Sequence, residues 1–179
     1  MEAIFRILDF WFASEGLWFK KDDAFDESIR QRFAADYEKA AAGELADWRE
    51  TPDGCLALIV LLDQFPRNMF RGDARSFATD ALAIEVTEMA VESGFDQVLP
   101  AARRRLFYIP LMHAEDIDHQ RRCVDLFAAL ENDSNGLEYA IKHMEIIERF
   151  GRFPHRNEVL GRQSTSEEIA FLGTPGSSF

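Results

Sequence analysis

The chain has 179 residues and a formal net charge of −12, and 47% of its residues are hydrophobic. This length fits one domain with a substantial core. The negative charge argues against nucleic acid and anionic membranes as partners, because its long-range field repels both.

The cysteines and the N-terminal segment predict a cytoplasmic protein. Cys55 and Cys123 stand in apolar helical contexts and lack the spacing of a metal site or a disulfide. The N-terminal segment is acidic rather than basic, unlike a signal or transit peptide. We therefore expect a single domain over residues 1–179, with a short C-terminal arm from about residue 173 that ends in the apolar Phe179.

Apolar residues at helical spacing predict helix over most of the chain. No alternating run rich in β-branched residues predicts a strand. Short connections favour antiparallel neighbours, and hence an all-α array of antiparallel helix pairs or an irregular helical bundle. In chain order the predicted helices cover residues 3–13, 22–43, 51–65, 79–94, 100–110, 117–131 and 137–150, and the second of them is capped by Asp22 or Asp23. A short final helix follows, which Ser164 or Thr165 opens with Glu167 or Glu168 in a capping box.

The central stretch, residues 55–72, joins the most apolar segment of the chain to an unusual polar one. Its first eight residues are all apolar, which suits a helix that is buried on every side but too short to cross a bilayer. Pro66 is expected to stop this helix. Asp63 falls on a buried face and needs a partner for its charge, and the candidates are Arg67 and Arg71.

One short motif occurs twice, as Phe65-Pro66-Arg67-Asn68 and as Phe153-Pro154-His155-Arg156-Asn157. Proline at the first position of a turn leaves the following backbone N–H groups free, and Arg and Asn donors beside them favour an anion-binding site. One hypothesis is that both corners face one pocket and hold a carboxylate or phosphate. The alternative is that their arginines neutralise buried acids such as Asp63, Asp80 or Glu115. The candidate ligand-binding residues are Asp63, Arg67, Asn68, Arg71, Arg152, His155, Arg156 and Asn157.

His113 and Glu115 are candidates for acid–base chemistry, with Asp63 as another possible partner of the histidine. Their spacing is not that of metal ligands on a helix, so no metal site is predicted. No serine lies in a G-x-S-x-G motif that would supply a nucleophile.

Several segments carry a family resemblance. They are LDFWF (8–12), LLDQFPRNMFRG (61–72), FATD (77–80), FYIPLMHAED (107–116), Gln120, RFGRFPHRN (149–157), LGR (160–162) and PGSSF (175–179). Together they resemble the family named domain of unknown function 924. The resemblance implies an all-α fold of tetratricopeptide-like helix pairs, mostly in bacteria, with no established activity. Members of that family often have Ser after His113, whereas this chain has Ala114, which disfavours a hydroxyl nucleophile there.

The leading interpretation is a helical protein that binds a small anionic molecule or an acidic peptide, without a cofactor. In this interpretation the arginines bind, Asn68 and Asn157 orient, and the acids hold the arginines in place. One alternative is a hydrolase-type enzyme that uses His113 and Glu115 as acid and base. Another is an interaction scaffold whose polar cluster is only structural.

Overall fold

The computed structural model describes residues 1–18, 20–131 and 133–177. These residues form α-helices and turns without a strand, so the all-α prediction is confirmed. The predicted anchor Phe179 lies outside the described residues. The helices are α1 (Glu2–Ala13), α2 (Asp23–Ala41), α3 (Pro52–Ile59), α4 (Phe65–Met69), α5 (Asp80–Glu92), α6 (Ala101–Met112), α7 (Ile117–Ala128), α8 (Ser134–Phe150) and α9 (Ser166–Leu172).

Several helices begin at the predicted caps. The side chain of Asp22 accepts a hydrogen bond from the backbone N–H of Phe25 at 2.9 Å and so caps α2. At α9, Thr165 and Glu168 form the predicted capping box, in which each side chain accepts from the backbone N–H of the other residue. These starts were predictable because capping depends on residues close together in sequence.

Pro66 does not end the core helix, which corrects the prediction. After α3 the chain makes a π-helical turn, Val60–Gln64, and continues directly into α4. The backbone N–H of Phe65 bonds to the carbonyl of Val60 and closes this wider turn. Pro66 then lies in the first turn of α4, where a missing N–H is tolerated.

The segment formed by α3 and the π turn is the centre of the core. Every residue from 54 to 66 is buried. α3 contacts α1, α5 and α6, while the π turn contacts α1, α2 and α5. Phe65 lies against the rings of Phe33 and Trp11, with centroids 4.9 and 5.8 Å away. The first Phe-Pro corner is therefore fixed by aromatic packing.

The second corner belongs to a smaller apolar cluster in the C-terminal part. Phe153 is fully buried and packs with Ile146 and Ile147 of α8. α8 packs mainly on α7, which in turn packs on α6. No described helix is long and apolar enough to cross a membrane. The tetratricopeptide-like pairing of helices stays a prediction.

Candidate functional site

The π turn places Asp63 in the protein interior, where its side chain is fully buried. Its Oδ1 atom lies 2.8 Å from Nδ1 of His113, at the C-terminal end of α6. The same oxygen lies 3.2 Å from Nη1 of Arg67, so the predicted pairing of Asp63 with Arg67 is confirmed. Gln64 donates to Oδ2 at 2.5 Å. The buried carboxylate is thus satisfied at both oxygens.

These contacts define the protonation states of the pair. Burial alone would raise the pKa of Asp63, but Arg67 and His113 outweigh it and lower this pKa to about 2. Burial and the nearby Arg67 lower the pKa of His113 more than Asp63 raises it. At neutral pH His113 is therefore uncharged, with Nδ1–H donating to the ionised Asp63 and a lone pair on Nε2. The His113 side chain is 18% exposed, and its Nε2 makes no hydrogen bond within the described residues.

The two Phe-Pro corners meet at Asp80, the first residue of α5. Arg67 from the first corner donates from Nη1 to Oδ1 at 2.9 Å and from Nη2 to Oδ2 at 3.0 Å. Arg156 from the second corner donates from Nη1 to Oδ2 at 3.3 Å. Its Nη2 donates to the backbone carbonyl of His113 at 3.0 Å. We call Asp63, Arg67, Asp80, His113 and Arg156 the Asp80 corner.

Arg156 is the least compensated charge in the Asp80 corner. Its guanidinium lies between the rings of Phe77 and Phe153, 4.6 and 4.5 Å from their centroids. Only 7% of the side chain is exposed, and the buried Nε has no hydrogen-bond partner among the described residues. Burial and the neighbouring Arg67 lower the pKa of Arg156 to about 10, because the shared Asp80 compensates only part of its charge. Arginine stays protonated even so.

Glu115 belongs to a second cluster beside the corner. Arg162 donates to both of its oxygens, at 2.5 and 2.9 Å, and the backbone N–H of Phe153 donates to Oε1 at 2.7 Å. Burial raises the pKa of Glu115, but these donors outweigh it and the net shift is downward. Arg162 also donates to Oδ1 of the fully buried Asn157 at 3.0 Å. Glu115 is therefore bound to Arg162 and Phe153 and is not the partner of His113.

The family follows from the sequence as a whole. The model of a family described as "Bacterial protein of unknown function (DUF924)" matches residues 7–176. The chain belongs to this family.

A solved structure supports the same assignment for the fold. The structure of a protein of unknown function from Agrobacterium tumefaciens is 45% identical and superposes with a TM-score of 0.92. The alignment covers 96% of this chain and 97% of that one. No curated protein matches the sequence significantly.

Three of the predicted ligand-binding residues are bound to acids outside the Asp80 corner. Arg71 donates to the two oxygens of Asp26 at 2.8 and 3.0 Å, and Asn68 donates to Oδ1 of that acid at 2.8 Å. The prediction that Arg71 serves Asp63 is therefore wrong, because packing places Asp26 of α2 nearer to it. Arg152 donates to both oxygens of Glu168, at 2.6 and 2.8 Å.

The histidines near the corner are uncharged. His143 of α8 is 4% exposed, and its ring centroid lies 6.3 Å from that of His113. Burial lowers the pKa of His143 to about 3, and the nearby His113 is the second cause of this decrease. The ring of His155 lies tilted against that of Phe153, with centroids 5.6 Å apart, and burial and Arg156 lower the pKa of His155 to about 4. Among the described residues, no three His, Cys, Asp or Glu side chains are grouped to hold a metal.

Arg162 and Gln120 are two buried or partly buried polar residues that were not predicted as functional candidates. Arg162 turns back toward Asn157 because Gly161 has a φ of +65°, a conformation that favours glycine. Gln120 is fully buried and donates from Nε2 to the carbonyls of Met112 at 2.7 Å and Ala114 at 2.8 Å. A polar residue on the apolar face of α7 is the sequence signal for such a role.

Proposed function

We propose that this protein binds a small anionic molecule, or the acidic end of a peptide, at the Asp80 corner. The observation that carries the proposal is the partly compensated charge of Arg156, whose nearest acid is already paired with Arg67. An incoming carboxylate or phosphate would supply the anionic partner that Arg156 otherwise shares.

Partly exposed side chains give a ligand access to the corner. Arg67, Asp80 and His113 expose 21%, 15% and 18% of their side chains. The Nε2 lone pair of the neutral His113 accepts a hydrogen bond, whereas the arginines only donate. The corner therefore suits a ligand that carries a hydroxyl or N–H group beside its anionic group.

Three other arginines have a structural role rather than a binding one. Arg71, Arg152 and Arg162 each donate to both oxygens of a single carboxylate, so their forks are occupied. Such pairs hold neighbouring elements together. His113 and Arg156 therefore remain as ligand contacts, and Arg71 and Arg152 belong to the framework. Arg67, which donates to both oxygens of Asp80, holds that acid in place.

Thermal unfolding with inorganic phosphate, succinate, citrate and an acidic peptide tests the proposal. A ligand at 100 times its dissociation constant adds about 2.7 kcal/mol of stability. We expect at least one anion to stabilise the wild type and to lose most of this effect in Arg156→Lys, which keeps the charge but not the planar fork.

Arg71→Lys is the matched control, because it makes the same change at a paired arginine that serves Asp26 outside the corner. We expect this variant to keep the ligand effect. An absence of stabilisation by every anion, or an equal loss in both variants, would contradict the proposal.

A further inference from the structure

The Asp63–His113 pair has the arrangement of a general base. We propose that it activates water for the hydrolysis of an ester formed by a small acid with a second, free carboxylate. This inference rests on the proposed function, because the Asp80 corner would hold the free carboxylate. In this reaction His113 is the catalytic residue and Asp63 is a positioning residue, since Asp63 acts only through the imidazole.

His113 is oriented through its ring and through its backbone. Asp63 accepts from Nδ1 and so directs Nε2 away from the buried carboxylate. Gln120 donates hydrogen bonds to the carbonyls of Met112 and Ala114, and Arg156 donates one to the carbonyl of His113 itself. Three consecutive carbonyls are thus each bonded to a side chain. The last carbonyls of any helix need such partners, and here the partners also fix the residue that carries the imidazole.

Among the residues that the structure describes, no serine, threonine or cysteine side chain bonds to Nε2 of His113, so water is the attacking group. Burial raises the pKa of Cys55 to about 11 and also raises that of Cys123, which keeps both as inert thiols. The residue after His113 is Ala114, which has no hydroxyl. The His113 side chain is 18% exposed, and the unprotonated Nε2 of a neutral imidazole can take a proton from a water molecule that contacts it.

In this hydrolysis His113 takes one proton from water and later gives it to the leaving alcohol. The oxygen of water bonds to the ester carbonyl carbon while one of its protons passes to Nε2. The tetrahedral intermediate collapses, the bond from carbon to the alcohol oxygen breaks, and the proton passes from Nε2 to that oxygen. The products are an acid and an alcohol, and His113 is neutral again. The partly compensated Arg156 attracts the negative charge of the substrate to this place.

Hydrolysis of mono-4-nitrophenyl succinate, with neutral 4-nitrophenyl acetate for comparison, tests the activity. We expect the anionic ester to react faster, and His113→Gln to lower kcat/KM for it by about 100-fold. His119→Gln is the control, because His119 is a partly exposed residue of α7 outside the Asp80 corner, with its ring nitrogens near Glu88 and Asp116. It should hydrolyse both esters like the wild type. Equal rates in His113→Gln and the wild type would overturn the proposal.

The role of Asp63 has a readout that does not depend on turnover. With only four histidines in the chain, ¹⁵N NMR of the imidazoles can be assigned by comparison with His113→Gln. In the wild type at pH 7 we expect His113 to be neutral and protonated on Nδ1. A proton on Nε2 at that pH would overturn the dyad, whether or not Asp63→Asn folds.

The two proposals can fail separately. Stabilisation by succinate without hydrolysis dependent on His113 would leave the anion site standing and remove the catalytic proposal. No stabilisation by any anion would remove the anion site itself, and with it the basis for the selectivity toward the anionic ester.

Discussion

Arg67 and Arg156 occupy corresponding places in two copies of a Phe-Pro motif, and both donate to the carboxylate of Asp80. The first arginine lies in α4, which continues the core helix, whereas the second lies in the turn after α8. One acid at the start of α5 therefore links the central and C-terminal parts of the fold. This shared acid also explains why Arg156 is left with a partly compensated charge.

Replacing Asp80 by Asn should destabilise the protein by about 3 kcal/mol, because two arginines lose their common carboxylate in a poorly hydrated site. Urea unfolding measures this loss. Glu85→Gln is the matched control on the same helix, since Glu85 is 58% exposed and pairs with Arg49 at the surface. The control should cost less than about 1 kcal/mol. Equal losses in the two variants would contradict the role given to Asp80.

Acidification should destabilise the protein before most carboxylates titrate. The pKa of His143 is lowered from 6.5 to about 3, so the unfolded chain binds this proton between those values and the folded chain does not. The stability that depends on a neutral His143 is fully present above pH 6.5 and is lost as the pH falls toward 3. The lowered pKa of His155 has an effect in the same direction. Each histidine changes the free energy of unfolding by up to about 1.4 kcal/mol per pH unit. Urea unfolding at several pH values should show a shallower slope between pH 6 and 4 in His143→Gln, and an unchanged slope would argue against this assignment.

Local features of the sequence predicted much of this structure. Helix periodicity, the cap at Asp22 and the capping box at Thr165 depend on residues within one or two turns of each other, and all of them appear. The pairing of Asp63 with Arg67 is also local, since one helical turn separates the two residues. Such features follow from the sequence because chain geometry alone brings their members together.

Partners that come from distant segments were not predictable. The sequence contains sixteen arginines, and nothing local indicates that Arg71 serves Asp26 or that Arg162 serves Glu115. Helix packing decides these pairs. The continuation of the helix through Pro66 was not predictable either. The π turn before it depends on how the whole segment is buried rather than on the proline itself.

Gln120→Leu should weaken the support of His113. The substitution leaves the carbonyls of Met112 and Ala114 without their donor and should destabilise the protein by about 3 kcal/mol. It should also broaden or shift the imidazole NMR signals of His113, which a distant loss of stability would not do. Gln31→Leu is the control, because Gln31 bonds only to Glu27 on an exposed face of α2 and should change stability by less than about 0.5 kcal/mol. Unaltered His113 signals in Gln120→Leu would show that Asp63 orients the ring without the hydrogen bonds from Gln120.

Gly54→Ala tests how closely the core helix is packed where it begins. A Cβ atom on Gly54 would lie 2.1 Å from the backbone oxygen of Trp48 and 2.8 Å from Oγ1 of Thr51. The first of these is backbone and cannot rotate away, so the turn Ala46–Glu50 or the helix must shift, at a cost of about 3 kcal/mol in unfolding free energy. Gly173→Ala is the matched control, because its Cβ would meet nothing nearer than the oxygen of Ala170 at 3.5 Å. The control should be neutral or slightly stabilising, since alanine reduces the freedom of the unfolded chain. Similar stability of the two variants in urea would mean that the turn moves at little cost, and that the position of α3 depends on its contacts with α1, α5 and α6 instead.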